Sequence, residues 1–198
     1  MGFFSEPKHA GTAYVIVAIL QILGALISII LAAMDAEIAL VPVVISGIGA
    51  IIAGVIMFGY GNKVRTGVIS DKVEILAQFV RIVGIVMIIT AVFECIAKVV
   101  EGMDLGTEMY TAIITIVLGL IVIFCASKIN DGKKTGGDKV IWIFLLLIFI
   151  VEILLAILTI VVGLILIIPA IIGICNLVLY GCMFALLIDN DVKNAMNM

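Results

Sequence analysis

From Val140 to Ile188 the chain carries a single charged residue, Glu152, and a single amide, Asn176. Drawn out as one helix at ~1.5 Å per residue, this stretch would reach ~73 Å, against a bilayer hydrocarbon core of ~30 Å. It must turn back once and supply two transmembrane spans. The rest of the chain repeats the pattern. Of 198 residues, 65% are apolar and only 13% charged, and the mean hydropathy is +1.44. An ordinary soluble domain is about 45–50% apolar and about 25% charged.

Apolar runs of span length predict six helices, roughly Thr12–Ala33, Leu40–Tyr60, Ile75–Val99, Met109–Ser127, Val140–Val162 and Pro169–Ile188. They are apolar all round, whereas a helix at the surface of a soluble core shows a charged outer face. The expected fold is therefore all-α: one polytopic transmembrane domain over residues 1–198, made of three tandem hairpins near 12–60, 75–127 and 140–188.

Lysines and arginines set the direction. Lys8, Lys63, Arg65, Lys72, Lys128, Lys133, Lys134, Lys139 and Lys193, nine of the eleven cations, fall on one side. The opposite turns hold Asp35, Glu37, Glu101, Asp104 and Glu108. Both termini are expected in the cytosol, and the protein in the cell membrane. The polar start lacks a basic, cleavable signal. Glu6 stands where a myristoylation motif after Gly2 needs Ser or Thr, so no processing is expected.

Repetition is visible along the chain. Asp71-Lys72-Val73 follows span two, and Asp138-Lys139-Val140 follows span four. Gly54, Gly119 and Gly181 take comparable places in spans two, four and six, and Pro42 and Pro169 precede spans two and six. Small residues at every fourth position, Gly24, Ser28 and Ala32 in span one and Ser46, Ala50 and Gly54 in span two, let helices approach closely in lipid. They serve either the first hairpin or an oligomer interface.

Gly24 and Gly54 around Pro42, and Gly181 after Pro169, sit within three parallel hairpins with basic inner loops and short acidic or apolar outer turns. In this the chain resembles the HdeD-type family of acid-resistance membrane proteins over nearly its whole length. The middle hairpin departs from the pattern, with Thr107 where the proline would align. The resemblance implies a small stress-linked membrane protein and supplies no catalytic residue.

Ionisable residues at bilayer depth are functional candidates, since each costs ~2.5–3.5 kcal/mol on insertion scales. Glu152 is the clearest. Hydrocarbon favours its neutral form, which suits either a hydrogen-bonded clamp between helices or a proton-exchanging group. Gln21 and Asn176 lie at similar depth and are expected to join it if spans one, five and six meet. Glu94 and Lys98 have the favourable i, i+4 order for an ion pair at a helix end. Arg81 reads as an anchor to lipid headgroups, as do Lys133 and Lys134 in the loop Ser127–Lys139. Gly132-Lys133-Lys134-Thr135 lacks the spacing of a P-loop.

Other chemistry is missing from the sequence. Cys95, Cys125, Cys175 and Cys182 have no metal-ligand spacing, and His9 is the only histidine, so neither a metal nor another cofactor is expected. No nucleophile–base pair or paired carboxylate supports hydrolysis. No basic stripe with interleaved aromatics suits nucleic acid. The expectation is a non-enzymatic bundle, structural, accessory or stress-linked, among membrane lipids and within a homo-oligomer or larger complex. The alternative is a small proton- or cation-handling transporter or channel centred on Glu152.

Overall fold

The structure is a computed structural model. It describes residues 4, 6–35, 38–102, 105–130, 137–163 and 167–198, without the side chains of 105–108, 162–163 and 167–169. Lys133, Lys134, Gly132, Gly136, Glu37 and Asp104 lie outside the described residues, as do the side chains of Thr107, Glu108 and Pro169. Six helices are long and apolar enough to cross a membrane: α1 (Pro7–Met34), α2 (Leu40–Arg65), α3 (Lys72–Glu101), α4 (Leu105–Ile129), α5 (Gly137–Gly163) and α6 (Ile167–Leu187). A short α7 (Asn190–Ala195) follows. Most of the six run a few residues beyond the apolar stretches that mark them, because a helix continues into the headgroup region where its polar ends are wetted.

The ends carry ordinary signals. Pro7 stands in the first turn of α1, where a missing N–H costs nothing. Asp71 caps α3 by accepting from the Glu74 N–H at 2.7 Å. Gly102 ends α3 with a φ of 85°, the left-handed conformation that favours glycine.

The closest pairings are α1 with α2, α3 with α4 and α5 with α6, so the three expected hairpins are present. α2 packs on α3 and α1 on α6, which sets the order α4, α3, α2, α1, α6, α5. The two ends of that order, α4 and α5, barely meet.

Two hairpins share one packing device, a seam of small residues seven apart. In the first, Gly11, Ala18 and Ala25 of α1 lie against Gly61, Gly54 and Gly47 of α2. A Cβ on Gly54 would meet Ile22 Cγ1 at 2.6 Å and the Ala18 carbonyl at 3.2 Å. In the second, a Cβ on Gly84 would meet the Gly119 carbonyl at 2.6 Å. Ala77 and Ala91 of α3 and Ala112 and Ala126 of α4 are buried at the same spacing. Seven residues is the repeat at which one helix face returns in a left-handed pair. Because lipid supplies no hydrophobic force between helices, such backbone approach is the main source of adhesion.

The rows at every fourth residue behave differently. Of the six positions, Ala32 and Gly54 are buried, Ser46 and Ala50 are half-buried, and Gly24 and Ser28 are exposed. A Cβ on Gly24 would meet nothing within 4 Å. Nor does Gly181 take the place of Gly54 and Gly119: its Cβ would meet Phe4, and the α6 glycine that faces α5 is Gly173, against Ile160 and the Ala156 carbonyl.

Bulk is distributed unevenly between the ends. At the end bearing both termini, here the basic end, Val64, Ile75, Leu76, Phe79, Leu145, Met183, Leu187 and Met196 form a continuous buried core. Among the described residues, those buried towards the opposite, far end are mostly alanines, including Ala25, Ala32, Ala91, Ala97 and Ala112. The bundle is filled at one end and grooved at the other.

Candidate functional site

Phe79 anchors an aromatic cluster at the inner limit of the core. Its ring centroid is 5.6 Å from that of Tyr14, 6.2 Å from Phe149 and 6.0 Å from Tyr180. Tyr14 in turn meets Tyr60 edge-on at 5.6 Å. Buried tyrosines need partners for their hydroxyls. Tyr60 donates to the Ile75 carbonyl at 2.6 Å, and Tyr180 and Glu152 are neighbours that border one cleft.

Glu152 borders a lateral cleft of about 320 Å³ between α3, α4, α5 and α6, where α4 and α5 draw apart. Its other lining residues, apart from Tyr180, are apolar, including Val83, Met87, Leu118, Val122 and Ile148. Glu152 as a whole is half-buried. The third hairpin is further tied by Trp142, whose Nε1 donates to the Leu187 carbonyl at 2.9 Å.

The three intramembrane polar residues do not share this cleft. Gln21 donates through Nε2 to the Ala50 carbonyl at 3.2 Å, between α1 and α2, and lines a different groove. Asn176 is half-buried on α6 and is not among the residues lining the Glu152 cleft. The expected meeting of α1, α5 and α6 is partial: α6 contacts both of the others. The polar neighbour Glu152 has is Tyr180, one turn beyond Asn176, which sequence reading passed over. A tyrosine within an apolar run, whose hydroxyl must be satisfied, was the available signal.

Glu94 and Lys98 line the same two clefts at the far end, one between α3 and α4 and one between α2 and α3. Glu94 also borders a third groove, between α1, α2 and α3. Arg81 is exposed on α3. The four cysteines are free. Among the described residues, no three His, Cys, Asp or Glu side chains come together.

At the basic end, Lys72 at the start of α3 binds the C-terminal segment. Its Nζ lies 2.7 Å from Asp189 and 3.2 Å from Asp191. Asp189 also caps α7, accepting from the Asp191 N–H at 3.0 Å. The hydrogen bond from Lys72 holds the Asp189 carboxyl below the usual carboxylate range. Comparison with protein-family models finds no match to the chain, and comparisons with curated proteins and solved structures find none either.

Proposed function

We propose that this integral membrane protein is a non-enzymatic subunit whose bundle is completed by a further transmembrane helix, from a second copy or a partner, at the gap between α4 and α5. One observation carries the reading. Glu152 is only half-buried, in an apolar cleft at hydrocarbon depth. In an isolated monomer the rest of it would face acyl chains, where unsatisfied polar groups are costly. A covering helix removes that cost. The basic end is taken to face the cytosol, with Arg81, Lys133 and Lys134 near lipid headgroups, and the membrane is taken to be the cell membrane. The resemblance to the HdeD-type family agrees with a small stress-linked bundle.

The deciding measurement is native mass after extraction in a mild detergent. Migration with a fixed number of copies or partner chains is expected. A monodisperse monomer would remove the reading. The second reading, proton or cation handling at Glu152, draws on the Tyr180 hydroxyl beside it on the same cleft. Proteoliposomes with a pH gradient test it. Flux abolished by Glu152→Gln would favour it, and equal leak with both proteins would dismiss it.

A further inference from the structure

We propose that the far-end groove between α1, α2 and α3 is a binding site for a small organic ammonium ion, with Glu94 as its counter-charge. The first hairpin leaves this space open by construction. Its seven-residue row of glycines and alanines holds α1 against α2, while the adjacent four-residue row, Gly24 and Ser28 facing Ser46 and Ala50, lines a groove of about 310 Å³. The third wall is α3, through Thr90 and Glu94.

The lining selects for charge. Among the described residues, Glu94 is the only acidic or basic side chain bordering this groove; Lys98 borders the two neighbouring clefts but not this one. The neutral polar groups present acceptors. Gln21 spends an amide N–H on the Ala50 carbonyl, and Ser46 spends its hydroxyl proton on the Val43 carbonyl at 3.1 Å. Each keeps an oxygen able to accept, which suits a cation. A single carboxylate balances a single positive charge, with the attraction strengthened where the surroundings are less polar than water.

The lining also selects for size and surface. At ~30 Å³ per water, the space greatly exceeds a bare alkali ion. Leu20, Ala25, Val43 and Ala50 give it apolar walls. An ammonium head on a short hydrocarbon body meets both kinds of surface.

Calorimetric titration of the full-length protein in detergent with n-butylammonium chloride tests the site, with sodium chloride and neutral n-butanol as comparison ligands. Saturable binding of n-butylammonium is expected, at least ten-fold tighter than either comparison. It should fall at least ten-fold in Glu94→Gln, which removes the charge, and in Gly24→Leu, which fills space where nothing stands within 4 Å and so leaves the fold intact. No saturable binding, or binding unchanged in Gly24→Leu, overturns the proposal, as does sodium binding as tightly as the amine.

Discussion

The second and third hairpins solve the same problem with opposite materials. In the second, small residues every seventh position bring α3 and α4 together until Gly84 and Gly119 touch backbone to backbone. In the third, the approach seen among the described residues is near the turn, at Ala156 and Gly173. Nearer the basic end, Phe149 and Tyr180 stand between α5 and α6 with ring centroids 6.4 Å apart. There the pair is held by the hydrogen bond from Trp142 to Leu187, with Tyr180 set beside Glu152. Close backbone approach shuts the second hairpin at mid-length, and its cleft lies beyond, at the far end beside Glu94 and Lys98. Aromatic spacing, with α4 and α5 drawn apart, leaves one, and Glu152 sits in it.

The strongest way to break the comparison is to put bulk into the second seam. Gly84→Leu drives a side chain into the Gly119 carbonyl, which cannot step aside. A loss of more than ~3 kcal/mol is expected, at or above the upper range for overpacking, read as a collapse of the detergent melting temperature. Gly59→Leu, at a position with nothing within 4 Å, should change stability by less than ~1 kcal/mol. If the two variants melt alike, the seam does not hold the hairpin.

Removing bulk from the third hairpin is the converse. Phe149→Ala should cost ~3 kcal/mol, the low end for such truncations, because the lost ring borders an existing cleft. A finer cut is Tyr180→Phe, which takes away the hydroxyl beside Glu152 at ~1–3 kcal/mol. Adding Glu152→Leu to Tyr180→Phe should recover part of that loss. Strictly additive effects would mean the two side chains do not interact.

The smallest effect concerns the tether of α7 to α3. The Asp189 carboxyl titrates lower in the folded protein than when unfolded. Its contribution is therefore full above the ordinary carboxylate range and is lost as pH falls through the depressed folded value. For so accessible a pair the effect is ~0.2–1 kcal/mol. Protection of the α7 amides, taken against their intrinsic exchange rate at each pH, should fall below about pH 4, near the ordinary aspartate value, and Lys72→Met should give the lower protection already at pH 7. Exchange that ignores both changes would show that buried Val192 and Met196 hold the segment without the ion pairs.

The six spans and their hairpin pairing were legible because lipid imposes length and apolarity on any helix that crosses it. The faces were harder. An apolar helix has no polar side to betray its direction, so the row Gly24–Ser28–Ala32 and the row Gly11–Ala18–Ala25 look alike on paper, yet only the second packs along its length. The same blindness set Asn176 beside Glu152 in place of Tyr180. Whether neighbours in sequence meet across a gap, as α4 and α5 nearly do, depends on how hairpins rotate about one another, which local pattern does not encode.

The pairing of α1 with α6 also has a meaning in time. Domains form in the order they are synthesised, and α1 is made well before α6, its second neighbour. The first two hairpins can zip along their glycine seams as soon as each is inserted. Tyr14, on α1, must wait for Tyr180 and the rest of α6 before the aromatic cluster is whole. Until then Tyr14 has Tyr60 and Phe79 against its ring, and the cluster closes when the third hairpin arrives.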